Sequence, residues 1–247
     1  MNLIIDIGNT ASKLAIYDGN TLIFSDKTAS ETVSTVKMIR KTLCNYDIKN
    51  CILSSVSLPY DELTEPLEGI AGTVVKFDSS TDIPIANRYS TPETLGKDRL
   101  AAAIGATVIF PGASCLVIDA GTAITYDYVK DGTEYLGGNI SPGIDIRFKS
   151  LHDFTSRLPL ISDPKPTETF GLSTEEALSN GVINGIIYEI EGYIKRFEKK
   201  NVNSHIILTG GCSIYLSKKL KNTIFAEPNL VTIGLNRILN YNVLKEN

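Results

Sequence analysis

The sequence has no tryptophan, and only four cysteines and two histidines occur among its 247 residues. The cysteines show no C-x-x-C spacing and neither histidine lies in a metal-ligand pattern, so neither a disulfide scaffold nor a zinc site is indicated. These residues are Cys44, Cys51, Cys115, Cys212, His152 and His205. Reduced thiols in a cytoplasmic protein are therefore expected.

Excess basic charge and long apolar runs are also missing. The 24 Lys and Arg against 28 Asp and Glu give a formal net charge of −4, which argues against a nucleic-acid binder with a broad basic surface. No apolar stretch reaches the roughly 18 residues of a membrane span, and the N-terminus shows no signal peptide. We expect a cytoplasmic protein with a small-molecule ligand and neither a nucleic-acid nor a membrane partner.

What the sequence does contain is a repeat. The stretch LIIDIGNT at 3–10 returns 113 residues later as LVIDAGTA at 116–123, and Asp18-Gly19 returns at the same shift as Asp131-Gly132. A single Asp-x-Gly is common turn punctuation, so coincidence is the alternative, but a strand, a turn and a hairpin signal in register favour duplication. The sequence predicts an α/β protein with two related lobes that face each other across a cleft. The predicted lobes are 1–112 and 113–247.

Each predicted lobe opens with three strands, followed by alternating helices and strands. A helix at 97–110 is stopped by Pro111-Gly112, and a long helix at 173–200 can be capped by Ser173 or Thr174. The Pro-containing segment 79–96 predicts a surface loop, where functional residues often lie. Other predicted strands are 2–6, 13–17, 21–25, 50–56, 72–77 and 204–211, and other predicted helices are 31–43 and 229–241.

The two Asp-x-Gly turns are suited to a polyphosphate. Glycine lets a phosphate approach the backbone, and the following N–H and hydroxyl groups donate to its oxygens. Asp6 and Asp119 can each hold a cation or its water shell beside the phosphates, and Lys13 can add a positive charge. Two opposing turns fit ATP better than a monophosphate. The alternative is that each aspartate only hydrogen-bonds its own turn.

Two further motifs supply an adenosine site and an acceptor site. The strand ending in Gly210-Gly211 lets a flat adenine or its ribose lie against the backbone, although a double glycine is also a common turn. Gly96, Asp98 and Arg99 lie where the long loop meets a helix N-terminus. There a carboxylate can accept the proton of an attacking hydroxyl, and the guanidinium can bind a carboxylate. The alternative is an ordinary helix start with a favourable aspartate and a surface arginine.

Together these motifs resemble the type III pantothenate kinases, bacterial enzymes of the acetate and sugar kinase/Hsp70/actin superfamily. The resemblance covers essentially the whole chain. It rests on DIGNT at 6–10, GKDR at 96–99, DAGTA at 119–123, GGNISPG at 137–143 and LTGG at 208–211. It implies two ribonuclease H-like (actin-like ATPase) lobes, a homodimer, and ATP-dependent phosphorylation of pantothenate at its terminal hydroxyl, the first step of coenzyme A biosynthesis.

The resemblance also implies a role for each matching residue. Asp98 is the expected general base, Asp119 the ligand of a potassium or ammonium ion needed beside Mg-ATP, and Thr174 a contact to pantothenate in the partner subunit. Residues expected to bind ATP are Asp6, Ile7, Gly8, Asn9, Thr10, Ala11, Ser12, Lys13, Thr122, Gly210 and Gly211. Residues expected to bind pantothenate are Tyr89, Gly96, Lys97, Asp98, Arg99 and Thr174. Packing alone is the alternative for Tyr89, and helix capping alone for Thr174.

Two other functions stay open at this point. One is a kinase or phosphatase of the same superfamily that acts on another small hydroxyl substrate, and such a protein would not turn over pantothenate with ATP. The other is a non-catalytic regulatory or accessory ATP-binding homologue. A regulator is expected to lose Asp98 or one phosphate-loop aspartate, whereas Asp6, Asp98 and Asp119 are all present.

Overall fold

Strands and helices alternate along the chain, as the patterning predicts. The computed structural model describes residues 1–59, 61–70, 72–167, 170–201 and 204–246. The strands are β1 (Asn2–Ile7), β2 (Ala11–Asp18), β3 (Thr21–Ala29), β4 (Asn50–Ser55), β5 (Val74–Lys76), β6 (Ala86–Asn87), β7 (Ser114–Ala120), β8 (Ala123–Lys130), β9 (Glu134–Pro142), β10 (Ser204–Thr209) and β11 (Phe225–Ala226). The helices are α1 (Thr32–Asn45), α2 (Asp61–Thr64), α3 (Lys97–Ile109), α4 (Ile144–Asp153), α5 (Thr174–Glu198), α6 (Ser213–Ser217) and α7 (Leu230–Glu246).

The strands form two sheets that repeat one strand order. The first sheet has the order β3-β2-β1-β4-β5, and the second has the order β11-β10-β7-β8-β9-β6. Taken from β9 to β11, the second sheet repeats the first, with β6 added at its edge. Strand β1 runs antiparallel to β2 and parallel to β4, so the first sheet is mixed. The α/β class is confirmed, and the repeated order supports the predicted duplication.

Most predicted elements occur close to their expected ends. Helix α5 begins at Thr174, and its N-cap is Ser173, whose hydroxyl oxygen accepts the Glu176 N–H at 3.2 Å. This decides between the two capping candidates. The segment 79–96, predicted as a loop, carries the two-residue strand β6 and a 3₁₀ turn at Pro92–Thr94. The short helices α4 and α6 are not predicted by the sequence patterning.

Backbone contacts divide the chain into two compact units. The first comprises Met1–Cys115, Asp127–Gly137 and Asn229–Asn247, and the second comprises Leu116–Tyr126 and Gly138–Pro228. Helix α7 therefore belongs to the first unit, where it packs on α3, β1 and β4. The predicted lobes follow the sequence repeat instead and group this helix with the second copy. Their boundary after residue 112 stays a prediction about the duplication.

The first sheet buries both of its faces within the first unit. Leu3, Ile5 and Ile7 of β1 lie in one apolar core with Met38 and Ile39 of α1. The other face meets α7, where Asn2 donates to Asn236 at 2.9 Å. Because side chains alternate along a strand, Asp6 lies on the same face as Asn2, at the carboxyl end of β1.

Two glycines let α3 and α7 approach each other closely. A Cβ on Gly105 would lie 3.2 Å from the Gly234 backbone N, and a Cβ on Gly234 would lie 2.7 Å from the Ala101 carbonyl carbon. Both contacts are with backbone, which cannot give way as a flexible side chain does. This packing fixes the axis of α3 and so the position of the G-x-D-R residues at its start.

The cysteines, the acidic and histidine side chains and the helices were compared only within the described residues. The four cysteines are free thiols, and burial raises the pKa of Cys115 to about 12. No three His, Cys, Asp or Glu side chains converge as a metal-binding cluster in the described ranges. None of the helices in those ranges combines the length and the apolarity needed to cross a bilayer.

Candidate active site

The first Asp-x-Gly turn joins β1 to β2 and is held by serine hydroxyls. The Gly8 N–H closes the turn by donating to Ala11 O at 3.1 Å. Gly8 O accepts the hydroxyls of Ser30 and Ser57, each at 2.7 Å, and the Ser30 N–H donates to Thr10 O at 3.2 Å. A carbonyl oxygen repels phosphate, so pairing these carbonyls with protein donors suits an anion-binding turn.

A chain of hydroxyl groups connects this turn to helix α1. Thr35 donates to Ser12 Oγ at 3.0 Å, and Ser12 Oγ lies 3.3 Å from Ser30 Oγ. Thr35 and Ser12 are fully buried, so each hydroxyl needs such a partner. Ser12 and Ile7, both expected to bind ATP, have 0% exposure. In this structure they can reach a ligand only through their backbone.

Polar side chains form a row across the first sheet at Asp6. Asp6 pairs in register with Lys13 on β2 and with Ser54 on β4, and directly paired residues share a face. Ser54 is 1% exposed, and its hydroxyl is the one buried side-chain polar atom without a hydrogen-bond partner among the described residues. A water or a metal-bound water fits such a group. Ser54 is not predicted from the sequence, because its only signal is its register with Asp6.

The G-x-D-R residues form the start of α3. Gly96 is the N-cap and Asp98 lies in the first turn, where the helix dipole stabilises a negative charge. Asp98 Oδ1 accepts the Arg99 N–H at 2.9 Å. A Cβ on Gly96 would lie 2.6 Å from that oxygen, so glycine leaves room for the carboxylate. Lys97 Nζ lies 3.5 Å from Ser55 O at the end of β4.

Arg99 is buried rather than at the surface, so the surface-arginine alternative is wrong. Its Nε and Nη2 donate to Asp127 Oδ1 at 3.0 and 2.7 Å, and the two side chains are 6% and 0% exposed. The Tyr135 hydroxyl donates to the same oxygen at 2.7 Å. The Arg99 guanidinium carbon lies 5.8 Å from the centroid of the Tyr89 ring. Tyr89 and Arg99, expected from sequence to share a pocket, are therefore brought together.

The charges in this cluster are mutually stabilising. Burial opposes the charge on Arg99, but the hydrogen bonds and negative charge of Asp127 outweigh it and raise the Arg99 pKa. Burial, followed by the charge of Asp127, raises the pKa of Tyr135. Tyr135 is therefore a neutral donor and Arg99 a permanent cation across the working pH range.

The second Asp-x-Gly turn joins β7 to β8 and is enclosed by backbone. The Gly121 N–H donates to Ala123 O at 3.0 Å, so this turn closes one residue earlier than the first. The Gly143 N–H donates to Thr122 O at 3.0 Å. A Cβ on Gly143 would overlap the carbonyl oxygens of Gly121 and Thr122. The last glycine of GGNISPG is thus required by its packing on the second turn.

Asp119 lies against the double-glycine turn that follows β10. Gly210 has φ +89°, and a Cβ there would lie 2.6 Å from Ala120 O and overlap Asp119 Oδ1. The Cys212 N–H donates to Ala120 O at 2.9 Å. Burial, then the charges of Asp145 and Asp119, raise the pKa of Cys212. The carboxylate and carbonyl oxygens collected here are the ligands that a hard cation prefers.

Two other residues of GGNISPG, Ser141 and Pro142, are linked to helix α5 through Arg147. Arg147 of α4 donates to Pro142 O and to Ser141 Oγ, both at 2.8 Å, and pairs with Glu189 of α5 at 2.5 Å. The Tyr126 hydroxyl donates to the other Glu189 oxygen at 2.8 Å. Thr174, at the start of the same helix, is exposed within its unit.

Solved structures share this fold at low sequence identity. A Campylobacter jejuni protein described as a candidate Baf family transcriptional activator has a TM-score of 0.62 and 22% identity, covering 97% of this chain and 98% of that chain. The activator of the 2-hydroxyisocaproyl-CoA dehydratase from Clostridium difficile, with bound ADPNP, has a TM-score of 0.60 and 13% identity, covering 99% and 96%. These likenesses define the fold class of the chain as the one that it shares with these two proteins.

Sequence comparison gives the family within that class. The family model of type III pantothenate kinase matches residues 2–196. The type III pantothenate kinase of Bacteroides fragilis strain YCH46 is 44% identical over 243 residues, covering 98% of each chain. The chain therefore belongs to the type III pantothenate kinase family, and the resemblance seen in its motifs is confirmed.

Proposed function

We propose that this protein transfers the γ-phosphoryl group of Mg-ATP to the terminal hydroxyl of pantothenate and yields 4'-phosphopantothenate. The observation that carries the proposal is membership of the kinase family over nearly the full chain, with Asp98 present in the first turn of α3. This is the first step of coenzyme A biosynthesis.

Asp98 is the general base of the proposed reaction. Its Oδ1 is held by the Arg99 N–H, which orients the carboxylate so that Oδ2 can accept the proton of the attacking hydroxyl. Arg99 binds the carboxylate of pantothenate, and Tyr89, Gly96 and Lys97 line the same pocket. In-line transfer depends mainly on such positioning.

The residues of the first turn fit the phosphates of ATP and a divalent cation. The segment from Asp6 to Lys13 binds phosphate oxygens, with Lys13 as the positive charge. Asp6 and the unpartnered Ser54 hydroxyl fit a metal-bound water, in keeping with the few protein ligands that Mg²⁺ takes. When bound, Mg²⁺ neutralises the charge that develops on the phosphate oxygens. Thr122 contacts ATP, and Gly210-Gly211 accommodates the adenosine.

Asp119 holds a monovalent cation, potassium or ammonium. Support comes from the Asp119 carboxylate, which lies against the Gly210-Gly211 turn, and from the negative charge that Asp145 adds at Cys212. An oxygen-rich, negatively charged site of this kind suits a cation without a strict geometry.

The protein acts as a homodimer in which Thr174 reaches the pantothenate of the partner subunit. Two large apolar side chains just before α5 are almost fully exposed, with Phe170 and Leu172 each at 96%. Exposed apolar groups gathered near one element favour a protein interface. The expected mass in solution is twice the 26.9 kDa of one chain.

The central test is ADP release measured with and without pantothenate. ATP turnover should depend on pantothenate, and Asp98→Asn should lower kcat at least ~100-fold. Asparagine keeps the oxygen that accepts the Arg99 N–H, so fold and ATP binding should be nearly intact. The matched control is Glu93→Gln, an exposed acid just before α3, which should leave turnover unchanged. Near wild-type turnover in Asp98→Asn contradicts the catalytic assignment.

Subunit mixing tests the role of Thr174. Asp98→Asn and Thr174→Ala are each expected to be weakly active alone. If Thr174 acts on the partner's pantothenate, a mixed dimer contains one site with both native residues, and activity returns on mixing. If Thr174 acts within its own subunit, mixing restores nothing, and the proposed contact across the dimer is wrong.

A further inference from the structure

Asp127 and Tyr135 have no role in the reaction as described, yet they are the most deeply buried members of a polar cluster. We call Tyr89, Arg99, Asp127 and Tyr135 the arginine cluster; all four lie in the first unit. Asp127 and Tyr135 are fully buried. A buried ion pair adds little net stability compared with apolar residues of similar volume, so stability alone does not account for the cluster.

A single oxygen anchors one edge of the Arg99 guanidinium. Asp127 Oδ1 accepts Nε and Nη2 of Arg99 at 3.0 and 2.7 Å and the Tyr135 hydroxyl at 2.7 Å. Two donors from one rigid group hold that edge of the guanidinium against Asp127. A guanidinium carries five N–H donors, so this arrangement sets the direction in which its other donors point.

The strand that supplies Tyr135 also positions Tyr89. The Ala86 N–H donates to Thr133 O at 2.8 Å, and the Arg88 N–H donates to Tyr135 O at 2.9 Å. These bonds align β6 with β9 immediately before Tyr89. A Cβ on Gly137, whose φ is +99°, would lie 3.4 Å from the Tyr89 ring, and the Tyr89 and Tyr135 ring centroids are 6.2 Å apart.

We propose that Asp127 and Tyr135 are positioning residues for the recognition of the pantothenate carboxylate. They hold Arg99 and Tyr89 in the orientation that binds a carboxylate in preference to a neutral group of similar size. The inference rests on the proposed function, in which Arg99 binds that carboxylate. It adds that selectivity for the anionic substrate depends on two residues that do not touch the substrate.

The test compares kcat/KM for pantothenate with kcat/KM for pantothenol, in which an alcohol replaces the carboxylate. Asp127→Asn should raise the KM for pantothenate about 10-fold or more and lower the pantothenate-to-pantothenol ratio by a similar factor. Tyr135→Phe, which keeps the buried volume, should move both in the same direction by about 3-fold. The KM for ATP should stay within about twofold of wild type in both variants.

Glu134→Gln is the matched control. Glu134 precedes Tyr135 on β9 and pairs with Arg88 at 2.6 Å, but the two side chains are 26% and 61% exposed. Breaking an exposed pair has little effect, so the substrate ratio should not change.

The outcomes separate the inference from the proposed function. If wild-type protein turns over neither substrate, the proposed function fails. If wild type prefers pantothenate and both variants keep its substrate ratio, the cluster is purely structural and the inference is overturned. If Asp127→Asn does not fold, Tyr135→Phe decides: a wild-type ratio there overturns the inference, and a lowered ratio supports it.

Discussion

In the β1–β2 turn the Gly8 N–H donates to Ala11 O, whereas in the β7–β8 turn the Gly121 N–H donates to Ala123 O. Gly8 O in the first turn accepts two serine hydroxyls. The second turn is packed against the backbone of Gly143. The two turns are related by one shift in sequence, but different contacts stabilise them.

The difference matches the separate tasks proposed for the two turns. Hydroxyl donors occupy the Gly8 carbonyl in the first turn, which favours an anion. Beside the second turn the negative charges of Asp119 and Asp145 both act on Cys212, which favours a cation. If the two turns arose by duplication, as the repeat predicts, the residues around each copy account for the difference in electrostatics.

The largest expected effect comes from removing each aspartate in turn. Asp6→Asn should lower kcat/KM for ATP about 100-fold in potassium, ammonium and sodium alike, because the phosphate-bound metal loses its carboxylate. Asp119→Asn should instead reduce activity to a level that no longer depends on which cation is present. Steady-state rates in the three chloride salts measure both. Identical wild-type rates in all three salts count against Asp119 as the cation ligand.

A methyl group added at or against each turn should lower the free energy of unfolding by different amounts. Gly143→Ala should lower the free energy of unfolding by about 2–3 kcal/mol, because the new Cβ overlaps backbone oxygens that cannot move away. Gly143 has φ −71°, so the effect is steric rather than conformational. Gly8→Ala places its Cβ 3.2 Å from Ala11 O and should cost less than about 1 kcal/mol.

Urea unfolding measures both variants, and Gly211→Ala is the control. A Cβ on Gly211 has no heavy atom within 4 Å. Equal losses for Gly143→Ala and Gly8→Ala would contradict the view that the second turn is enclosed by backbone and the first is not.

The two copies of the repeat also show what the sequence pattern can predict about a turn and what it cannot. Both Asp-Gly dipeptides occur at hairpins as predicted, but Asp131 and Gly132 both take positive φ, 49° and 63°, whereas at the first hairpin only Gly19 does, at 58°. Dipeptide chemistry predicts that a turn exists. The exact turn depends on the strand register on either side, which the local sequence does not specify.

The long-range contacts were beyond prediction for a similar reason. The helix at 229–241 was expected from its periodicity, yet nothing local indicates that Gly234 meets Gly105 of α3. The motif residues Asp98 and Arg99 could be found from their spacing near a helix start. Asp127 and Tyr135 could not, because their partnership with Arg99 depends on strand pairing rather than on a motif.

A smaller effect is expected from the hydroxyl support of the first turn. Ser30→Ala removes a donor to Gly8 O and one of the two hydroxyl partners of Ser12, and should lower the free energy of unfolding by about 1–2 kcal/mol. The KM for ATP should rise as well, because the turn loses its link to α1. The control is Ser34→Ala, whose hydroxyl donates to Glu31 Oε2 at 3.3 Å near the start of α1. Unchanged stability and KM in Ser30→Ala would show that the Ser30 hydroxyl does not support the turn.

The smallest expected effect is a change in how the Tm depends on pH. It concerns only the contacts that support the second turn. Burial opposes ionisation of Glu189, but its hydrogen bonds from Arg147, Ser141 and Tyr126 outweigh burial and lower its pKa below the ordinary 4.5. A lowered pKa stabilises the fold above about pH 4.5 and loses that contribution as the pH falls through the native value. Glu189→Gln should therefore lower the Tm at pH 7 and flatten its fall on acidification, while Glu198→Gln, an exposed acid at the end of α5, should follow wild type. The first turn is supported by neutral hydroxyls, so the Tm of Ser30→Ala should fall on acidification as steeply as that of wild type. A shallower fall in Ser30→Ala would contradict the contrast between the two turns.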